Sequence, residues 1–270
     1  MKKEEFKIWE SDERVTLTVY DPENGETDKP TLIVIPGGAY IAPSKREADP
    51  VAEHFAQMGY LGCVLRASTM YADFEDNSGE PNEHTIFPEP MCEVGAAILF
   101  LRRNSERFGI SKSRIALCGF SAGGHLTANY CNYWQRADVA GALGVNPEEI
   151  RPNGDVLGYA ATYLGSRIKG AMLRAVFGDR HHMTQEEVDE YNPKYHIDRC
   201  TPPTFIWHTS DDTMIPVKQS YDMAMALAEE GIPHGLHVFS RGPHASGLSK
   251  GLPAEDWPEL ADRFLRAYMH

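Results

Sequence analysis

Gly119-Phe120-Ser121-Ala122-Gly123 sets a serine between two glycines in the pattern G-x-S-x-G. A serine hydroxyl is a poor nucleophile until a neighbouring base takes its proton. The flanks give the pattern its weight. Arg114-Ile-Ala-Leu-Cys118 reads as a buried strand, and a helical pattern runs from about Ala122 to Gln135. So sharp a strand-to-helix turn strains the serine backbone, and the glycines two before and two after it avoid clashes there. Ser121 would then stand at a helix head, where N–H groups and the positive helix end favour a developing oxyanion. The plainer reading is an ordinary N-cap serine.

A base and an acid follow in the chain order that such a serine needs. Ser210-Asp-Asp-Thr-Met-Ile-Pro216 comes after a strand ending near Trp207, and Gly242-Pro-His244 comes after the last strand. Both lie just past the carboxyl ends of strands, the edge where open α/β sheets build their sites. His244 is the expected general base. An aspartate would hold its tautomer and stabilise the imidazolium. Asp212 and its neighbour Asp211 both compete for that role, and either can instead cap the helix that starts near Pro216. Among the other histidines, His181 and His182 read as solvated, His125 as packing within the helix after Ser121, and His208 as a satisfied structural residue. Ile35-Pro-Gly-Gly-Ala-Tyr40 follows a buried strand, and its paired glycines let backbone N–H groups point into a cleft. One oxyanion donor is expected from this loop and another from the Ala122 N–H.

These residues need a sheet to hold them. Thr31–Ile35 is a continuous β-branched run, as in a strand buried on both faces. Val15–Tyr20 alternates like a more exposed strand. Further strands are predicted at about 60–66, 155–159, 204–207 and 235–239. Helices are predicted at about 49–58, 90–108, 217–230 and 257–268, with Val94, Ala97, Ile98 and Leu101 at helical spacing. A helical region of uncertain packing fills about 166–191, and a long acidic, Gly- and Pro-containing loop runs from about 68 to 90. This alternation predicts an α/β fold: a mostly parallel twisted sheet with helices on both faces, in one domain spanning 1–270.

The 270 residues carry 26 Lys+Arg against 39 Asp+Glu, a formal charge of −13, and 42% are hydrophobic. That apolar content excludes intrinsic disorder. The longest clean apolar run, about Val94–Leu101, is far short of the roughly 20 residues of a membrane span. The charge disfavours nucleic acid as a partner and is mainly a solubility feature. It should also repel long anionic polymers. The five cysteines, Cys63, Cys92, Cys118, Cys131 and Cys200, are odd in number, lack a C-x-x-C pair and read as small core residues. The N-terminus has no apolar h-region, so a cytoplasmic location is expected.

The motifs resemble an α/β-hydrolase of the bacterial acetyl-esterase and feruloyl-esterase-like group, related to hormone-sensitive-lipase-type carboxylesterases. The matching strings are Pro36-Gly-Gly-Ala-Tyr40, Ser44-Lys-Arg-Glu-Ala-Asp-Pro50, Cys118-Gly-Phe-Ser-Ala-Gly-Gly-His-Leu126, Pro202-Pro-Thr-Phe-Ile-Trp-His-Thr209 with Asp212, and Gly242-Pro-His244. The resemblance implies the α/β-hydrolase fold, with Ser121 as nucleophile, Asp212 as acid and His244 as base. It also implies Gly38, Ala39 and Ala122 as oxyanion donors. Two departures stand out. Pro36 and Ala39 replace the first and last residues of the His-Gly-Gly-Gly found in many relatives. No large cap is visible, and only about 163–191 and 68–90 are left to roof the site. Small acyl groups on a bulky, sugar-like alcohol fit that better than long-chain lipids.

The expected activity is therefore hydrolysis of short-chain carboxylic esters through an acyl-enzyme, on a small-molecule ester such as an acetylated oligosaccharide. No metal or organic cofactor is called for, and no membrane partner. Tyr40, Met70, Tyr71, Tyr159, Tyr163, Met214 and Ile215 are the candidate pocket residues. An amidase, formamidase or small peptidase would use the same three residues. A binding module on the same scaffold would leave them idle.

Overall fold

The computed structural model describes residues 1–75, 80–165, 171–180 and 183–269. Its strands are β1 (Lys2–Lys7), β2 (Thr16–Asp21), β3 (Lys29–Ile35), β4 (Leu61–Arg66), β5 (Ile110–Phe120), β6 (Gly154–Gly158), β7 (Thr204–Thr209) and β8 (His234–Phe239). They form one sheet in the order β1-β2-β4-β3-β5-β6-β7-β8. β1 with β2 and β2 with β4 run antiparallel, and all other pairs run parallel. The helices are α1 (Asp49–Gln57), α2 (Glu89–Arg103), α3 (Ser105–Phe108), α4 (Ala122–Tyr133), α5 (Ala137–Ala140), α6 (Ala171–Phe177), α7 (Gln185–Asp189), α8 (Lys218–Glu229) and α9 (Trp257–Tyr268).

Side-chain alternation along the parallel strands sorts the core into two layers. Val34, Cys118, Val156 and Phe205 stand in register across β3, β5, β6 and β7. They meet Val51, Ala52 and Phe55 of α1 and Trp257, Ala261 and Leu265 of α9. The next residues along, such as Ile33, Ile35 and Leu117, face α2 and α4 on the other side. Val94, Ala97, Ile98 and Leu101 are all buried there, as their spacing predicts. Trp207 and Trp257 stack at 5.1 Å with an interplanar angle of 13°. The Trp257 Nε1–H also donates to the Gly247 carbonyl at 3.0 Å, so α9 helps to anchor the segment after His244.

Several boundaries differ from the sequence reading. β1 was not anticipated, because Lys2-Lys-Glu-Glu-Phe-Lys7 has too few apolar residues to show a strand period, and only pairing with β2 makes it one. The helix predicted through 108 breaks at Asn104, whose Nδ2–H bonds back to the Phe100 carbonyl at 2.8 Å and competes with the helical ladder. β5 starts four residues early, behind the polar Ser111-Lys-Ser-Arg114. In the region predicted helical over 166–191, residues 166–170 and 181–182 lie outside the described residues, and α6 and α7 fill part of the remainder. The cysteines are free. Four are buried and Cys200 is half-buried.

Truncating Trp257 leaves a void against the Trp207 ring and removes a hydrogen bond. Trp257→Ala should cost about 3–5 kcal/mol of unfolding free energy, measured by urea titration. A change below 1 kcal/mol would contradict this packing account.

Candidate active site

β5 ends at Phe120 and α4 begins at Ala122, leaving one residue to make the turn. Ser121 makes it at φ 50°, ψ −117°, a region that costs a non-glycine residue about 1–3 kcal/mol. Neighbouring strands hold it there. The Ser121 N–H donates to the Gly158 carbonyl at 3.1 Å, and the Ser121 carbonyl accepts from the Ala161 and His125 N–H groups, each at 3.0 Å. Both motif glycines are required by close approach. A methyl group on Gly119 would lie 2.5 Å from the Gly123 carbonyl oxygen, and one on Gly123 would lie 2.2 Å from the Ile35 carbonyl oxygen.

The structure brings Ser121, His244 and Asp212 into one hydrogen-bonded line. His244 Nε2 lies 2.9 Å from Ser121 Oγ, and His244 Nδ1 lies 2.7 Å from Asp212 Oδ2. A carboxylate can only accept, so Nδ1 carries the proton and Nε2 is free to accept from the serine. The Asp212 side chain is fully buried, and its other oxygen accepts from the Met214 and Ile215 N–H groups at 2.8 and 3.0 Å. Burial alone would raise its pKa. Hydrogen bonds from His208 and His244 and from the Ile215 N–H outweigh that and hold the carboxyl below the usual range. The competition between the two aspartates is thereby resolved in geometry. Asp211 is exposed and accepts instead from the Gly242 N–H at 2.8 Å, bracing the turn into His244.

Opposite the serine, Gly38, Ala39 and Tyr40 all have positive φ, at 122°, 55° and 59°. Among the described residues, the Gly38 and Ala39 N–H groups have no hydrogen-bond acceptor. Ala122 opens α4, so its N–H has no acceptor within the helix. The Gly37 amide, by contrast, is occupied: its N–H donates to Glu47 Oε2 at 2.8 Å. The result is a serine hydroxyl with a base on one side and amide donors on the other.

A family model described as alpha/beta hydrolase fold matches residues 82–247, more than half of the chain. The chain belongs to the α/β-hydrolase fold family. A second model, BD-FAE, matches residues 17–136 of the chain. It is 28% identical over 229 residues to endo-1,4-beta-xylanase B of Butyrivibrio fibrisolvens, covering 82% of this chain and 33% of that protein. It is 25% identical over 256 residues to a probable carboxylic ester hydrolase of Mycobacterium tuberculosis, covering 87% and 54%. The chain thus spans about a third to about half the length of these curated relatives. The crystal structure of the acetyl ester-xyloside bifunctional hydrolase from Caldicellulosiruptor lactoaceticus matches with a TM-score of 0.78 at 29% identity, covering 94% of this chain and 88% of that one.

The seven residues named as pocket candidates have different fates in the structure. Tyr40 and Met70 are core residues, each 5% exposed, and Tyr40 also lines a small cavity with Gly37, Pro43 and Ala122. The Tyr40 hydroxyl donates to His125 Nδ1 at 2.8 Å, and that ring is kept neutral because burial pushes its pKa down to about 4. Tyr71 is half-buried against the same core, and its N–H donates to the Ile41 carbonyl at 2.8 Å. Tyr159 is also buried, with its ring 4.9 Å from the His244 ring. Tyr163 is half-buried under the Lys194 ammonium, 4.4 Å from the ring centroid. Met214 is 70% exposed and Ile215 half-buried, and both touch Asp212 through their N–H groups. His181 and His182 lie outside the described residues.

Two neighbours of the site, Glu47 and Phe74, escaped the sequence reading, and a third, His208, is the satisfied structural histidine expected from it. His208 is buried with Nε2 between Asp212 Oδ2 at 3.2 Å and the Ile215 carbonyl at 3.1 Å, both acceptors, so Nε2 carries the proton. Its Nδ1 accepts from Ser220 at 2.7 Å. Glu47 is buried beneath the Gly37 turn. Phe74 is half-exposed, and its ring lies 3.2 Å from where a Gly38 methyl group would stand. Neither an isolated Glu nor a Phe in an acidic loop carries a local signal of such placement.

The loop bearing Phe74 leaves β4 through Ser68, whose N–H donates to buried Glu93 Oε2 at 2.8 Å and whose hydroxyl donates to Oε1. Burial pushes the Glu93 pKa up to about 8, although the Ser68 bonds oppose the rise. The folded state therefore holds this proton where the unfolded chain has lost it. The stability contribution is fully present below the unfolded value of 4.5 and is lost as pH rises through about 8. Raising the pH from 5 to 9 should lower the wild-type Tm more than that of Glu93→Gln. Parallel Tm curves for the two proteins would refute the assignment.

Proposed function

We propose that this hydrolase is a serine esterase that cleaves short-chain carboxylic esters, with Ser121, His244 and Asp212 as its catalytic triad. The observation that carries the reading is the 2.9 Å and 2.7 Å line from Ser121 through His244 to Asp212, set opposite the amides of Gly38, Ala39 and Ala122. Ser121 Oγ attacks the ester carbonyl carbon as its proton passes to His244 Nε2. The carbonyl oxygen takes the negative charge among the three amides. The carbon–oxygen bond to the alcohol breaks, and His244 returns the proton to the departing oxygen. Water then gives a proton to His244 and attacks the acyl carbon, and collapse restores the Ser121 hydroxyl. Asp212 stays ionised throughout and stabilises the imidazolium.

The acyl side is small for a stated reason. The departing oxygen has to face His244, which comes from the β8 side of the sheet. Phe74 enters from the loop after β4, on the other side of the oxyanion loop, and so borders the acyl group. For the alcohol we infer an acetylated sugar, a reading supported by the xylanase and the acetyl ester-xyloside hydrolase among the relatives.

Ser121→Ala should lower kcat on p-nitrophenyl acetate by about 10³ or more. Equal rates for variant and wild type would sink the assignment. Asp212→Asn should be far more damaging than Asp211→Asn, and the reverse ranking would move the acid. Phe74→Ala should raise kcat/KM for p-nitrophenyl hexanoate relative to acetate by roughly tenfold. An unchanged chain-length profile would take Phe74 off the acyl side.

A further inference from the structure

The esterase reading uses one buried carboxylate, Asp212. A second, Glu47, is 0% exposed and lies between two loops that the reaction needs at once. One of its oxygens, Oε2, accepts from the Gly37 N–H at 2.8 Å, at the foot of the Gly38–Ala39 turn. The other, Oε1, accepts from the Tyr159 hydroxyl at 2.8 Å. That hydroxyl in turn accepts from the Gly247 N–H at 3.0 Å, three residues beyond His244. The Tyr159 ring lies edge-on to the His244 ring at 4.9 Å. The Ser44 side chain also donates to Glu47. Among the described residues, no lysine or arginine ion-pairs with Glu47; its neighbour Arg46 instead reaches the Ala245 carbonyl at 3.5 Å. The Ser44–Glu47 turn is thus wedged between the oxyanion loop and the His244 loop.

We propose that Glu47 is a positioning residue, which fixes the oxyanion amides relative to His244 through Tyr159. The proposal rests on the esterase reading. Its logic is one of donors and acceptors. Gly37 and Tyr159 both present hydrogens, and only a group that accepts on both sides can face them together. The Tyr159 hydroxyl has one hydrogen, spent on Glu47, which leaves its lone pairs for Gly247. Burial raises the Glu47 pKa, as expected for a carboxylate held without a cation, while its hydrogen bonds oppose that rise. An uncompensated carboxylate in this position is costly, and the structure uses it to span two loops that no backbone hydrogen bond joins among the described residues.

Glutamine has the same shape but offers an amide N–H₂ on one side. Glu47→Gln therefore sets donor against donor at either Gly37 or Tyr159. Tyr159→Phe keeps the ring against His244 and removes only the hydroxyl. Misplacing a reacting group by about 1 Å costs on the order of 10² in rate. With p-nitrophenyl acetate, Glu47→Gln should lose roughly 10- to 100-fold in kcat with KM within about threefold, and Tyr159→Phe should lose kcat in the same way. The double variant should lose about as much as Glu47→Gln alone, because both changes cut one link. Wild-type kcat in Glu47→Gln, or multiplied losses in the double variant, would overturn the proposal. So would a loss confined to KM. Should Glu47→Gln fail to fold, Tyr159→Phe decides alone: a kcat loss at constant KM supports the link, and wild-type kcat overturns it. A wild-type protein without ester turnover would remove the esterase reading itself and the proposal with it, an outcome distinct from the others.

Discussion

The whole site depends on a turn of one residue. The long central strand β5 passes into α4 through Ser121 alone, and that residue is held at φ 50°. The strain persists because both sides of the turn are closely packed: the Gly119 and Gly123 backbones leave no room for a side chain. α4 therefore begins hard against the carboxyl end of β3. The same approach brings the Ala122 amide near the Gly38–Ala39 turn and aims the serine hydroxyl across the sheet edge toward β8. Moving α4 outward by even the width of a methyl group would relax Ser121 and separate the hydroxyl from the amides together.

Around that turn, the chain uses buried carboxylates in contrasting ways. Asp212 receives hydrogen bonds from two imidazoles and two backbone amides, and its pKa falls despite burial. Glu93 has a single serine as partner, and burial dominates, so its pKa climbs to about 8. Glu47 lies on the raised side as well, with three neutral donors and no ion pair. What separates them is the donor set that the tertiary fold brings to each. The carboxylate opposite His244 is the one whose donors outweigh burial and keep it charged.

Much of this was legible in the chain. The alternation of short β-branched runs with helical stretches carried the parallel sheet, because burial on both faces writes a continuous apolar run. The elbow, the aspartate pair and His244 could be read because each follows a strand end. What escaped was whatever had no period of its own. β1 is polar and exists through its pairing with β2. The break at Asn104 comes from a side chain bonding back onto the helix. Tyr40, Met70 and Tyr159 are buried, and no local pattern shows how deep their side chains sit.

By itself, the sequence carried the architecture and singled out Ser121 and His244 as the candidate nucleophile and base, since those follow from local patterns and from chain order along a parallel sheet. Only the tertiary structure decided between Asp211 and Asp212, because adjacent residues in a loop point in opposite directions, one buried toward His244 and one out toward the Gly242 amide. It also decided the parts played by Glu47 and Phe74. Each works through a partner tens of residues away in the chain, and such a contact leaves no mark in any stretch of sequence short enough to be read alone.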